Sequence, residues 1–276
     1  MNGRTGAIIQ ARMKSKRLPG KVLLSLPYNS EVTVLDNIVQ RAKCIKKLNE
    51  VIVATSWDKN DDIIEQWCKK KEINCFRGDV NDVLSRYYYS AKQYNLETIL
   101  RLTGDNPCID FELISNVLDK HLQDKNDCTK TEYYPIGTNI EIFSFGSLKK
   151  TFLNTTNFFD REHVTSFIYK NKNMFNICIK EAPKKLRKNL RLTLDTRADY
   201  LFFCAIFDFL YDSNNFFKLI DVIHLMDYKP WIKKLNENVF QKKEFQTLDD
   251  ELKFSIKLLD CNELYRAKNI LKMRIG

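Results

Sequence analysis

The sequence predicts an α/β fold: a doubly wound, mostly parallel sheet with helices on both faces and a C-terminal helical extension. Three observations lead there. Short apolar runs alternate with helical patterns through residues 1–123, and that β-α-β-α order is the order of a parallel sheet. Gly and Pro number only 8 and 6 in 276 residues, which argues against a loop-rich all-β chain. The length is enough to bury one large core.

The elements follow in order. Ala7-Ile8-Ile9-Gln10 reads as a buried strand, and 33–47 as an amphipathic helix. Val51–Ala54 is a second strand, followed by a helix near 60–71 for which Asn60 or Asp61 is the expected cap. Asn74–Phe76 is a short third strand, 80–94 a helix, Thr98–Leu102 a fourth strand and 110–123 a helix. Beyond that the pattern loosens. Asn139–Phe143 and 175–180 read as strands, and 145–153 and 159–170 as helices. Arg191–Leu194 reads as a short strand leading into a helix over 197–211, whose Phe-rich run suggests burial. Helices are expected near 216–227 and 248–272, with 229–244 as a connector. The division is a main domain over 1–243 and a helical tail over 244–276, which is read as a docked tail or an oligomer contact.

Charge and cysteine usage narrow the class. Lys and Arg total 45 against 35 Asp and Glu, a formal net charge of +10. Such a balance suits nucleic acid, a membrane surface or a small polyanion. Lys/Asn-rich stretches such as KNKNMFN spread much of it over the surface. A nucleic-acid binder should interleave cations with aromatics, whereas the aromatic stretch at 200–217 holds no cations up to Phe217 and the basic loop at 10–21 no aromatics. No nucleic-acid partner is therefore expected. The eight Cys form no CxxC pair and no zinc-like cluster, and read as reduced thiols of a cytoplasmic protein. No run approaches the roughly 18 apolar residues of a membrane span, so no membrane partner is expected either.

Open α/β sheets place their sites beyond the carboxyl ends of the strands. The loop after the first strand, Gln10 to Lys21, carries five cations: Arg12, Lys14, Lys16, Arg17 and Lys21. It is neither a Walker loop nor a GxGxxG loop. A cationic loop there suits a triphosphate, since Arg forks match phosphate oxygens and Lys adds point charge. After the fourth strand comes Leu102-Thr103-Gly104-Asp105-Asn106-Pro107, where Gly104 allows a sharp turn. Asp105 is placed there to hold a divalent metal, the local alternative being an Asx-type turn cap. Asp195 repeats the arrangement, with a helix N-cap as its alternative.

Several segments taken together carry a resemblance. They are Ile8-Ile9-Gln10-Ala11-Arg12-x-x-Ser15-x-Arg17-Leu18-Pro19-Gly20-Lys21, Arg77-Gly78-x-x-x-Asp82-Val83-Leu84-x-Arg86-Tyr87 and Arg101 to Pro107, then Arg161-Glu162-His163-Val164-Thr165 and Leu192-Thr193-Leu194-Asp195-Thr196-x-x-Asp199. In order and spacing they resemble the cytidylyltransferases that activate sugars as CMP derivatives, most of all the branch named for spore coat polysaccharide biosynthesis. The sialic-acid and 3-deoxy-manno-octulosonate types have a related loop. The resemblance covers about residues 1–240. It implies a nucleotide-diphospho-sugar transferase (Rossmann-like) fold and CMP transfer from CTP to a sugar hydroxyl, with pyrophosphate released. An acidic, nonulosonic-type sugar is the expected acceptor, and surface glycan synthesis the expected role.

The resemblance also implies roles. Arg12, Arg17, Lys21 and Asp105 would be catalytic. Gln10, Ala11, Arg12, Ser15, Arg17, Lys21, Thr55, Asp82 and Gly104 would contact the nucleotide. Asn106, Glu141, Arg161 and His163 would contact the acceptor, and Asp105 and Asp195 would hold Mg²⁺. A homodimer is expected. Read on their own residues, Arg161 could equally pair with a nearby acid, and Asp82 and Arg86 could form an i,i+4 pair. A glycosyltransferase of the same fold is the alternative enzyme. Such enzymes often carry an Asp-x-Asp motif after a strand, and this chain has none.

Overall fold

Seven strands form one sheet in the order β3-β2-β1-β4-β6-β5-β7. The computed structural model that shows this describes residues 3–241 and 247–275. Strands β1 (Thr5–Gln10), β2 (Glu50–Ser56), β3 (Asn74–Gly78) and β4 (Thr98–Thr103) run parallel, as their order in sequence predicts. Between them lie α1 (Val34–Lys43), α2 (Asp62–Lys70) and α3 (Val83–Gln93), with α4 (Phe111–Asp124) after β4. Five of the six residues of β1 are buried, because helices cover both faces of the sheet.

Alternate residues of each strand feed two cores. Ala7, Ile9, Leu100 and Ile142 pack with Leu35, Ile38, Ile64, Leu118 and Phe202 on one face. Ile8, Ile52, Ile99 and Phe143 pack with Leu84, Tyr87, Leu148 and Ile168 on the other. Thr33 starts α1 with a reciprocal capping box to Asp36.

The second half departs from the sequence reading in several places. Strand β5 (Cys128–Glu132) is absent from it: Cys-Thr-Lys-Thr-Glu has too little apolar content to stand out. The strand expected at Asn139–Phe143 is β6 (Glu141–Ser144), which lies antiparallel to both β4 and β5. Strand β7 (Ile177–Glu181) pairs parallel with β5. After α5 (Phe145–Asn154), the helix expected over 159–170 is two helices, α6 (Phe158–His163) and α7 (Ser166–Lys170). Val164 separates them at φ 53°, a conformation costly for a β-branched residue. Arg191–Leu194 is not a strand; it is extended chain tied by a single bridge, Ile136 with Arg191.

The Phe-rich helix is α8 (Arg197–Leu210), which buries Phe202, Phe203, Ile206 and Phe207. It is followed by α9 (Leu219–Tyr228). The connector expected over 229–244 holds a short helix, α10 (Trp231–Lys234), and its last residues lie outside the described ones. So does the domain boundary expected at 243/244. The chain divides into two compact units, Met1–Val239 and Phe240–Gly276. In the second, the helix expected over 248–272 is α11 (Leu248–Cys261) and α12 (Tyr265–Ile275), parted at Glu263, where φ is 57°.

Candidate active site

Gln10 and Thr103 are register partners at the carboxyl ends of β1 and β4, so the loops that follow leave the sheet side by side. The first loop is held by backbone and by one acid. Ala11 N–H donates to the Ala54 carbonyl at 3.1 Å, and Gly20 N–H to the Met13 carbonyl at 2.9 Å. Met13 N–H donates to Asp61 Oδ1 at 2.7 Å. Asp61, expected with Asn60 as the alternative cap of α2, stands at the N-cap position but makes no side-chain cap bond there. Its buried carboxylate also accepts from the Ser56 hydroxyl, so it pins the cationic loop to the end of β2. Gly20, at φ 72°, turns the chain into the 3₁₀ turn Lys21–Leu23 and so directs Lys21 inward.

In the second loop Gly104 sits in the expected turn, closed by Asn106 N–H donating to the Thr103 carbonyl at 3.3 Å, and it also serves close approach. Its φ is not left-handed, and a Cβ there would sit 3.0 Å from the Gln10 carbonyl and 3.1 Å from Ala11 Cβ. This contact lets Gly104 N–H donate to Gln10 O at 2.8 Å, locking the two loops together.

Four of the expected residues converge. Lys21 Nζ, with its side chain only 10% exposed, donates to Asp105 Oδ2 at 2.8 Å and to Asp195 Oδ1 at 2.9 Å. Arg17 pairs with Asp195 Oδ2 at 3.0 Å. Leu194 N–H donates to the Asp105 carbonyl at 2.8 Å, tying the two acidic turns to each other. Burial alone would lower the Lys21 ammonium, but Asp105 and Asp195 overrule it and hold it above its usual value. Burial alone would raise the Asp195 carboxyl, but Lys21, Arg17 and Arg191 hold it below the usual carboxylate range.

The turn under Asp195 is set by Asp199, which the sequence offered as orienting the helix, and by Arg191 and Asn236, to which it gave no role. Arg191 Nη2 reaches Asp195 Oδ2 at 2.6 Å while its Nε donates to Asp199 Oδ1 at 2.9 Å. Asp199 is fully buried; it also accepts from the backbone of Asp195 at 3.1 Å and Thr196 at 2.9 Å, and from Asn236 Nδ2 at 3.1 Å. The cap of α8 is Thr196, in a capping box with Asp199, so Asp195 is left free of that duty. An Arg four residues ahead of Asp195 was the available signal; reading that segment as a strand hid it.

The remaining positions fall elsewhere. Gln10 Oε1 accepts from the Tyr87 hydroxyl at 3.3 Å, and Ala11 is buried in the core. Arg12 is exposed and makes no ion pair among the described residues. Arg86 is held below its usual value by burial and by the like charge of Arg12. Ser15 is half-buried in the basic loop. Thr55 is fully buried, and its hydroxyl has no partner among the described residues. Asp82 is not the ion-pair partner of Arg86. It caps α3 by accepting from Ser85 N–H at 2.9 Å, and it pairs with Arg161 at 2.6 Å. Arg86 donates instead to the carbonyls of Asp79 and Val80. Arg161, expected at the acceptor, is thus paired within the protein. His163 ends α6 and packs its ring 4.5 Å from that of Phe159.

Glu141 and Asn106 meet at a cleft of about 440 Å³ between β4, β5, β6 and α4, which neither Arg161 nor His163 lines. Glu141 accepts from Arg101 at 2.6 Å, Tyr169 at 2.8 Å and Thr165 at 3.0 Å. Burial would raise its carboxyl, but these donors, Arg101 foremost, hold it below the usual range.

Two carboxylates from separate turns share one cation, the Lys21 ammonium, and Mg²⁺ takes one or two carboxylates with phosphate and water completing its shell. The residues therefore fit. No group of three or more His, Cys, Asp or Glu that could hold an ion occurs among the described residues, so the remaining ligands would come from substrate.

Residues 6–244 match the family model described as cytidylyltransferase. The uncharacterized protein MJ1063 of Methanocaldococcus jannaschii is 39% identical over 241 residues, 85% of this chain and 95% of that one. The spore coat polysaccharide biosynthesis protein SpsF of Bacillus subtilis is 35% identical over 196 residues, 70% of this chain and 82% of that one. A cytidylyltransferase structure from Leptospira borgpetersenii superposes with a TM-score of 0.77 at 31% identity, covering 87% of this chain and all of that one. A CMP:2-keto-3-deoxy-manno-octonic acid synthetase complexed with CTP shares the fold, with a TM-score of 0.55 at 15% identity over 74% of this chain and 98% of that one. The chain belongs to the cytidylyltransferase family and is a nucleotidyltransferase.

Proposed function

We propose that the protein transfers CMP from CTP to a hydroxyl of a sugar-type acceptor and releases pyrophosphate, as a step in surface glycan synthesis. The observation that carries this is the convergence of Lys21, Arg17, Asp105 and Asp195 at the joined mouths of β1 and β4. The hydroxyl oxygen attacks the α-phosphorus, the bond from that phosphorus to the bridging oxygen of the β-phosphate breaks, and pyrophosphate departs. The hydroxyl proton passes to solvent, and no side chain is assigned as general base. Little covalent work falls to the protein, so positioning and charge do most of it.

Arg12 and Arg17 neutralise the triphosphate, and Lys21 joins them by exchanging its carboxylate partners for phosphate oxygens. Gln10, Ala11, Ser15 and Gly104 present the loop backbone, while Thr55 and Asp82 mark the nucleoside side. Asp105 and Asp195 would hold Mg²⁺, which when bound polarises a phosphate oxygen. The acceptor lies in the neighbouring cleft, against Asn106 and Glu141. An acidic nonulosonic-type sugar is the finer form of the reading; its carboxylate would need a free cation there. CTP as the donor is supported by the family and by the CTP bound in the related octonic acid synthetase. A homodimer and a cytoplasmic location complete the proposal. No helix among the described residues is long and apolar enough to cross a membrane.

The test is pyrophosphate release from each of four nucleotides with Mg²⁺ and a panel of sugars. Asp105→Asn is expected to lower the rate by about 10²–10³, the scale of a lost transition-state charge contact, with the thermal transition retained. Full activity in that variant would overturn the metal assignment. Release of a nucleoside diphosphate instead of pyrophosphate would favour a glycosyltransferase.

A further inference from the structure

We propose that residues 161–169 form a positioning clamp that holds the nucleoside loop and the acceptor cleft in one fixed relation, with Arg161 and Tyr169 as its two jaws. The inference rests on the CMP-transfer reading. It gives a role to the Arg161-Glu162-His163-Val164-Thr165 motif, of which no residue lines the cleft.

One jaw closes on each site. At the nucleoside side, Arg161 grips Asp82 Oδ2 through Nε at 2.7 Å and Nη2 at 2.6 Å. Its Nη1 donates to the Thr155 carbonyl at 2.8 Å, and the guanidinium lies 4.9 Å from the centre of the Phe152 ring. A planar fork held at these points keeps one orientation. The turn it holds is itself closed, because the N–H groups of Asn81 and Asp82 donate to Asp79 Oδ1 at 2.7 and 3.1 Å. At the acceptor side, Glu141 Oε1 accepts from the Thr165 hydroxyl at 3.0 Å and from the Tyr169 hydroxyl at 2.8 Å. Thr165 and Tyr169 are four residues apart, so one face of α7 presents both. Arg101 takes Oε2 at 2.6 Å, which fixes the carboxylate in the cleft that Glu141 lines.

Two features stiffen the segment between its ends. The buried Asp160 of α6 accepts from the Ser166 hydroxyl and the Lys170 ammonium of α7, each at 2.6 Å, so the two short helices move as one piece. Val164, between them, is buried and sits at φ 53°. A β-branched residue keeps that conformation only where its surroundings over-determine it. In-line attack requires the acceptor hydroxyl and the α-phosphorus to be placed relative to each other, and a stiff piece shared by both sites sets that relation. Nucleotide bound against the Asp82 turn therefore stiffens the clamp and orients Glu141 before the acceptor arrives.

The experiment is amide hydrogen exchange on the full chain, with and without CTP and Mg²⁺, followed by pyrophosphate release. CTP is expected to slow exchange in residues 10–24 and also, by at least about threefold, in residues 161–171. Arg161→Gln is expected to keep the first effect and lose the second. An effect confined to 10–24 in the unsubstituted chain overturns the clamp while CTP binding stands, and so does an unchanged pattern in Arg161→Gln. No effect in either segment removes the CMP-transfer reading, and the clamp with it. Turnover tests the other jaw, whether or not Arg161→Gln folds. With a panel sugar that releases pyrophosphate, Tyr169→Phe is expected to raise the KM for that sugar about tenfold, the worth of one hydrogen bond to a charged group, with the KM for CTP within about twofold. A fall in kcat with both KM values unmoved means lost folded enzyme and overturns the positioning role of Tyr169. If CTP slows both segments yet no panel sugar releases pyrophosphate, the clamp stands and CMP transfer to those sugars fails.

Discussion

At the scale of single residues, the site is a balance of charges rather than a set of reactive groups. Lys21 is held above its ordinary value of 10.5, so it loses its proton, and the stability that proton brings, only as pH rises above that value. Asp195 is held below its ordinary 3.8, so its contribution is present above that pH and is lost only as pH falls below it. The lattice therefore stays charged across the working range. CMP transfer, corrected for ionisation of the nucleotide itself, is expected to show no limb between about pH 5 and 9. A limb inside that window would overturn this account. Each of these charges was visible in the sequence. Their partners were not: nothing local says that Lys21 joins Asp105 to Asp195, or that Arg161 is spent on Asp82.

At the scale of elements, the second half of the sheet explains where the cleft comes from. Strand β6 enters antiparallel between β4 and β5, placing Glu141 opposite Arg101 in register. Strand β5 is anchored by polar groups rather than by apolar content. Its Thr129 hydroxyl lies 2.9 Å from His121 Nδ1 of α4, and both residues are buried. Burial pushes the His121 imidazole down to about 4, so it folds neutral. An unfolded His takes up a proton near about 6.5, so stability is full above that value and falls as pH drops towards 4, by up to roughly 3 kcal/mol. Denaturant unfolding at pH 5 and at pH 7 should show the loss, and His121→Gln should flatten the difference. A pH-independent midpoint in the unsubstituted chain would remove His121 from the account. Sequence patterning overlooked β5 because hydrogen bonds, not hydrophobic periodicity, hold its interior face.

At the scale of the whole molecule, every residue assigned to the nucleotide, the metal or the acceptor lies in the unit Met1–Val239. The second unit has no buried residues in α11 and presents Leu248, Leu264, Tyr265 and Met273 at 54–81% exposure. A chain ending at Gln241 keeps Asn236 and its bonds to Arg191 and Asp199, and with them the support under Asp195. It is expected to retain a cooperative thermal transition and pyrophosphate release. Loss of either would assign the tail a part in folding or in catalysis. The charge of +10 narrows in the same way, since the site uses a handful of cations and matches several of them with acids.

What the sequence determined by itself was the parallel half: four apolar runs alternating with amphipathic helices admit few other arrangements, and strand order then puts the first and fourth loops together. It also named the residue types a triphosphate site needs, and family resemblance supplied the donor. Only the tertiary structure decided which charges meet. Asn236, 37 residues away, donates to the buried Asp199, and β6 brings Glu141 against Arg101 across 40 residues of chain. Pairings over such separations depend on packing, to which the spacing of residues along one segment is blind.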